Sequence, residues 1–336
     1  MSKKVLILGA NGFIGSDLSA ALLEQTDVEI FAFDLDSHKL NDVIDHSRFH
    51  FTQGDMLKEK TWIDEHIKKC DVILPLVAIA TPATYVSDPL RVFELDFEAN
   101  LEIIHRIVTH KKRVIFPSTS EVYGMCEDKA FDEETSNFVL GPTQKERWIY
   151  SCSKQLLDRV IYAYGQHKQL DFTLFRPFNW IGPKQDDPLG KNPRVLTQFI
   201  GNIMRGEDIT LVSGGEQRRT FIYIEDGINC LVKIIENNDN KASGRIFNIG
   251  NPENDHSIKE LAELVLKYAK THERYRAHAE KTKLVSVHAD EHYGKSYQDV
   301  EARVPSIQRA KDYLGWSPVI SMEEAVKRTV AYHLGQ

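Results

Sequence analysis

The glycine triplet Gly9-x-x-Gly12-x-x-Gly15 constrains this chain more than any other feature. It separates a short β-rich run, Val5–Leu8, from an amphipathic one, Phe13–Leu23. Glycines at a strand-to-helix turn allow a tight bend and let N–H groups at the helix N-terminus approach a pyrophosphate. A plain packing turn can carry the same spacing, so the context decides. A second β-rich run, Val28–Phe33, is followed by Asp34, placed where a carboxylate accepts hydrogen bonds from both hydroxyls of an adenosine ribose. The next residues, Leu35-Asp36-Ser37-His38, offer no arginine for a 2′-phosphate, which Asp34 would repel. NAD is therefore the expected cofactor in preference to NADP. Its expected contacts are Gly9, Asn11, Gly12, Phe13, Ile14, Gly15 and Asp34.

The pattern continues beyond the triplet. Phe49–Thr52, Val72–Leu76, Val114–Phe116 and Phe172–Phe175 read as strands. Helical runs lie around Trp62–Lys69, Val92–Val108 and Ser153–Tyr164. Such alternation predicts right-handed crossovers and a Rossmann-like, doubly wound parallel α/β sheet. After Pro177, prolines and glycines become frequent, which marks the start of a smaller C-terminal α/β lobe that binds substrate. The expected domains are 1–178 for NAD and 179–336 for the lobe, with part of 220–240 returning to the first. Pro305–His333 reads as helical with a turn at Gly315–Pro318. Two further residues belong to the expected cofactor wall. Ala78 lies in the small apolar run closing the fourth strand, and Asp55 either bonds the adenine amino group or caps a helix.

Composition excludes several classes. The 336 residues carry 42 Lys+Arg against 49 Asp+Glu, a net charge of −7. That acidic balance argues against nucleic acid and anionic membrane as partners, since both select basic faces. The longest apolar stretch, Val72 to Ala80, contains Pro75 and is too short to span a bilayer. The N-terminal apolar run is too short for a secretory signal. Cys70, Cys126, Cys152 and Cys230 form no C-x-x-C pair, so neither a disulfide framework nor a metal site is expected. The expected location is cytoplasmic.

Two segments carry chemistry. Tyr150 and Lys154 share one helix face at i, i+4. A nearby ammonium, together with the positive nicotinamide ring, favours the phenolate and makes Tyr150 a candidate general base. Thr119, Ser120 and Glu121 follow the fifth strand at its carboxyl end, where open α/β sheets bind substrate. A hydroxyl there holds the oxygen that loses its proton, and Glu121 is a candidate acid or base.

Taken together, Gly9–Gly15, Asp34, Thr119 and Tyr150/Lys154 resemble the extended short-chain dehydrogenase/reductases that act on nucleotide sugars. Within that group, Pro75–Pro82, Pro117–Met125, Arg147–Ser151, Arg176–Trp180 and Tyr297–Val300 resemble the UDP-glucuronate decarboxylase domain of the bifunctional polymyxin-resistance enzymes of the ArnA type. The resemblance implies that Tyr150 takes the proton of the 4-hydroxyl of UDP-glucuronic acid while hydride passes from C4 to NAD⁺. The resulting β-keto acid loses CO₂ to give UDP-4-keto-pentose. It also implies Thr119 beside O4, Ser120 and Glu121 near the C5 carboxylate, and Arg303 at the reacting end. A cation at Arg303 would bind the carboxylate and stabilise developing charge. Asn179, Arg194 and Tyr297 are implied at the UDP end. Thr210 stands where the resemblance places a nucleotide-contacting lysine, leaving Arg218 or Arg219 to substitute. A homodimer through helices of the first domain is implied as well.

Related 4,6-dehydratases carry an Asp-Glu pair where this chain has Ser120-Glu121. Serine removes both an acid and a negative charge that would repel a uronate. Release of the 4-ketone is the favoured outcome, with re-reduction to UDP-xylose left open. The alternatives are a nucleotide-sugar 4-epimerase or UDP-apiose-type synthase and, outside enzymes, an NAD-binding regulatory protein.

Overall fold

The computed structural model describes residues 2–288, 298, 300 and 303–335. The first part runs β1 (Lys4–Leu8), α1 (Phe13–Gln25), β2 (Glu29–Asp34), β3 (Phe49–Gln53), α2 (Lys60–Lys69) and β4 (Val72–Pro75). Next come α3 (Pro82–Ser87), α4 (Pro89–Phe93), α5 (Asn100–His110), β5 (Arg113–Pro117), α6 (Trp148–Lys168) and β6 (Phe172–Pro177). The remainder includes β7 (Trp180–Ile181), α7 (Val195–Arg205), β8 (Ile209–Val212), β9 (Arg218–Thr220), β10 (Ile222–Tyr223) and α8 (Ile224–Glu236). Then follow β11 (Arg245–Ile249), β12 (Asp255–Ser257), α9 (Ile258–Ala269) and β13 (Leu284–Val287).

Seven strands form one sheet in the order β11-β6-β5-β4-β1-β2-β3, and every pairing within it is parallel. This is the expected doubly wound α/β fold, with the strand order reversing at β1 and β4. Successive side chains point to opposite faces, so a strand covered on both sides must be apolar throughout. In β1, Val5 and Ile7 enter the core beside α1 and α8. Leu6 and Leu8 enter the opposite core with Ile63 of α2, Ile104 of α5 and Leu157 of α6. The first core continues into the C-terminal part through Leu196, Phe199, Leu261 and Val265.

The C-terminal part adds three short pairings, β7 with β10, β9 with β12 and β8 with β13. The seventh sheet strand, β11, lies past the expected boundary near residue 178, while α8 lies in the 220–240 segment expected to return, its Ile228 and Leu231 sharing a core with Leu18 and Leu22 of α1.

Two expected helices differ from what forms. The helix expected over Val92–Val108 is interrupted by a π-helical turn, Glu94–Ala99, between α4 and α5. The Asn100 side chain holds that turn in place, its Nδ2 donating to Val77 O at 3.1 Å and Leu95 O at 3.0 Å. Helix α6 begins at Trp148, ahead of the expected Ser153. No side chain caps Arg147; backbone turns from Lys145 N to Pro142 O and from Trp148 N to Lys145 O lead into the helix instead. Among the described residues, no helix is long and apolar enough to cross a membrane. None of their His, Cys, Asp and Glu groupings could hold a metal ion. All four cysteines are free thiols, with Cys152 exposed.

Candidate active site

The glycine turn leaves β1 at Gly9, whose φ of +92° is a conformation that favours glycine. A Cβ added to Gly15 would lie 2.4 Å from Gly9 O, so the start of α1 packs directly on the turn. Gly12 caps α1 without a side-chain hydrogen bond, and the helix has no acidic residue in its first turn. Its first N–H groups are therefore left by the side chains for an anion. The Asp34 carboxylate accepts from Asn11 N and Leu35 N, both at 2.7 Å, which fixes it beside the turn. Burial pushes its pKa up, and these two N–H groups pull it back. The Asn11 side chain accepts from Lys39 N at 2.7 Å, tying the segment after Asp34 to the turn. These residues fit a dinucleotide by backbone geometry and by charge.

Asp55 does not cap α2, whose N-cap position is Glu59. The Asp55 Oδ1 accepts Leu57 N at 3.0 Å and closes a turn, while α2 starts only at Lys60. Ala78 lies between Val77, whose carbonyl accepts from Asn100, and Ile79, whose N–H donates to Asp96 Oδ1 at 2.7 Å.

Across the carboxyl end of the sheet, α6 brings Tyr150 and Lys154 to β5. Lys154 is 1% exposed, and its Nζ donates to Pro117 O at 2.9 Å. Tyr150 stacks on Tyr85 with ring centroids 4.6 Å apart. Lys154 Nζ stands 6.0 Å from the Tyr150 ring centroid. Burial holds the Tyr150 pKa well above its ordinary value and the Asp96 charge adds to this, while the Thr119 side chain works in the opposite direction. For the chain by itself burial is the largest influence on the phenol, and the expected help from Lys154 comes jointly with the nicotinamide ring.

Thr119 Oγ1 accepts Glu121 N at 3.2 Å and caps the 3₁₀ turn Ser120–Tyr123 that follows β5. Ser120, the first residue of that turn, is buried. Glu121 is gripped from two sides, by Arg303 Nη1 on Oε1 and by Arg147 Nη2 on Oε2. Burial would raise its pKa, but the Arg303 and Arg147 charges outweigh that and bring it down to about 2. The two guanidinium groups thus favour the carboxylate form of Glu121. Arg303, too, is engaged rather than open. Sequence reasoning left Arg147 without a role, because nothing in the order of residues signals that it shares Glu121 with Arg303.

A model of the NAD dependent epimerase/dehydratase family matches residues 5–250. The chain belongs to that family. NAD is its cofactor, as the glycine turn and Asp34 predict. This epimerase/dehydratase aligns over its whole length with the PbgP3 protein from Burkholderia pseudomallei, at 51% identity. The TM-score is 0.92, and 97% of that chain is covered. Two more distant structures share the fold. A UDP-glucuronic acid 4-epimerase from Bacillus cereus, solved with UDP-glucuronic acid and NAD, has 20% identity and a TM-score of 0.79, with 98% of each chain covered. A dTDP-glucose 4,6-dehydratase from Bacillus anthracis, solved with NAD, has 19% identity and a TM-score of 0.79, covering 98% of this chain and 96% of its own.

The residues expected at the nucleotide end of this epimerase/dehydratase are engaged locally. Asn179 has a φ of 37°, and its Nδ2 donates to Thr220 O at 3.0 Å. Arg194 grips Asp186 with two bonds, Nε at 3.0 Å and Nη2 at 2.9 Å. Its guanidinium lies 5.8 Å from the Phe13 ring centroid, on the cofactor side. Tyr297 lies outside the described residues. Thr210 sits in β8 opposite Val285. Of the two substitutes, Arg218 pairs with Asp255 at 2.9 Å, whereas the charge of Arg219 reaches Glu121.

Proposed function

We propose that this NAD-dependent epimerase/dehydratase is a UDP-glucuronate decarboxylase. The observation that carries the reading is the charge around Glu121. Arg147, Arg219 and Arg303 act on this one carboxylate, close to Thr119 and Tyr150. That surplus of positive charge suits a sugar with a carboxylate of its own. Ser120, in place of an acid, adds no opposing charge.

In this reading Thr119 holds O4 of the sugar and Tyr150 takes its proton. Lys154, held by Pro117 O, keeps a positive charge beside the phenol. NAD⁺ held by the glycine turn and Asp34 would supply a hydride acceptor for C4 and a positive charge that favours the phenolate. The product of oxidation is a β-keto acid at C4 and C5. Its C5–carboxylate bond breaks, the electron pair passes into the ketone as an enolate, and CO₂ leaves. Arg303 stabilises that enolate. Glu121 stays a carboxylate throughout, aiming Arg303 and Arg147. The C-terminal lobe carries the UDP end, with Asn179 towards the nucleotide and Arg194 towards the cofactor turn.

Incubation with UDP-glucuronic acid and NAD⁺ tests the reading. Stoichiometric NADH with loss of the carboxylate means release of the 4-keto-pentose, the outcome we favour. Loss of the carboxylate without NADH means UDP-xylose. A sugar inverted at C4 with its carboxylate intact means a 4-epimerase and removes the decarboxylase.

A further inference from the structure

Helix α5 is preceded by the π-helical turn Glu94–Ala99, and turns of this kind recur at functional sites. Its Asp96 is fully buried. Oδ1 accepts Ile79 N at 2.7 Å, while Oδ2 is buried without a hydrogen-bond partner. A buried carboxylate with one bare oxygen is costly unless a charge answers it. The cation that acts on it is Lys154.

Lys154 has the complementary need. It is a buried ammonium whose Nζ donates to a carbonyl, and burial pulls its pKa down while Asp96 and Asp158 push it up. Of these two carboxylates, Asp158 already has a cation: its Oδ2 accepts from Ser118 at 2.7 Å and pairs with Arg176 at 3.2 Å, though its Oδ1 is also without a hydrogen-bond partner. Among the described residues, no second cation acts on Asp96. The other groups facing it are the phenols of Tyr150 from α6 and Tyr85 from α3. Glu94 and Glu98 on the same turn are exposed.

We propose that Asp96 is a positioning residue of this active site, the counter-ion that keeps the buried Lys154 charged so that Lys154 can serve Tyr150. This rests on the Tyr150–Lys154 reading above and holds for any nucleotide sugar the site oxidises. The π-helical turn is what brings the carboxylate inward, stitched by Ile79 N and by the Asn100 side chain to the segment following β4.

The test is Asp96→Asn, which keeps the acceptor for Ile79 N and removes the charge. Lys154 should then lose its proton at lower pH. The alkaline limb of kcat/KM, and that of NAD⁺ affinity measured by fluorescence quenching, should both move towards neutrality by about 1–3 pH units. Unchanged limbs in a folded variant overturn the proposal. Lys154→Met separates the two levels. If it removes the limb while Asp96→Asn leaves the limb in place, only the counter-ion role fails. If Lys154→Met is active with the same limb, the Tyr150–Lys154 reading fails. Should Asp96→Asn not fold, ¹³C-carboxyl titration of Asp96 decides. Its pKa should rise in Lys154→Met, and no rise overturns the proposal.

Discussion

At the scale of single residues, charge pairing decides what each group can do. Burial raises the pKa of the Tyr150 phenol, so its proposed role as a base draws on the positive ring of bound NAD⁺. Replacing Tyr150 with Phe should lower turnover by at least ~10²-fold with NAD binding retained, as measured by steady-state kinetics and by NAD titration. Asp34→Ala should weaken NAD binding and narrow its advantage over NADP, read as the ratio of the two dissociation constants. Glu121 makes a pH prediction of definite sign. Its pKa lies near 2 in the fold against an ordinary 4.5, so its contribution to stability is complete above 4.5 and lost as pH falls through 2. Acid unfolding followed by circular dichroism should show that loss, and Glu121→Gln should flatten it. No limb from Glu121 belongs in the neutral part of the activity profile.

At the scale of elements, the β1–α1–β2 unit was legible because each of its parts announces itself. Glycines sit at the turn, apolar runs flank it, and an acid closes the second strand. Gly15 shows how tight that unit is. Gly15→Ala should cost about 1–3 kcal/mol in urea unfolding, because its Cβ would meet Gly9 O. Tyr150 and Lys154 stood out only because their i, i+4 spacing follows the glycine turn and Asp34; spacing alone is common on solvated helix faces. The π-helical turn was not, since Glu94–Ala99 is composed of residues that an ordinary helix also accepts, and the turn depends on Asn100 reaching Val77 O. Asp96 did leave a trace, as a carboxylate in the apolar stripe that includes Val92, Ala99 and Ile103, yet a stripe does not say which partner waits across it. The start of α6 escaped for want of a capping side chain. The strand β11 escaped because five residues form it only against the edge of β6. The Arg303–Glu121–Arg147 cluster joins residues far apart in sequence, so no local pattern could reveal it.

At the scale of the whole molecule, the acidic total and the basic site are reconciled by location. The chain carries a net charge of −7, yet three arginines act on the one half-buried Glu121. Because NAD binds the folded chain, it should stabilise the whole fold. At a hundredfold excess over its dissociation constant the gain should be about 2.7 kcal/mol, visible as a rise in Tm that Asp34→Ala diminishes. The central claim is that the carboxylate of the sugar leaves, and release of labelled CO₂ from UDP-glucuronic acid labelled in its carboxyl carbon measures that most directly. The account predicts one labelled CO₂ for each sugar consumed in the presence of NAD⁺. Full recovery of the label in the nucleotide sugar, whether untouched or inverted at C4, would contradict it.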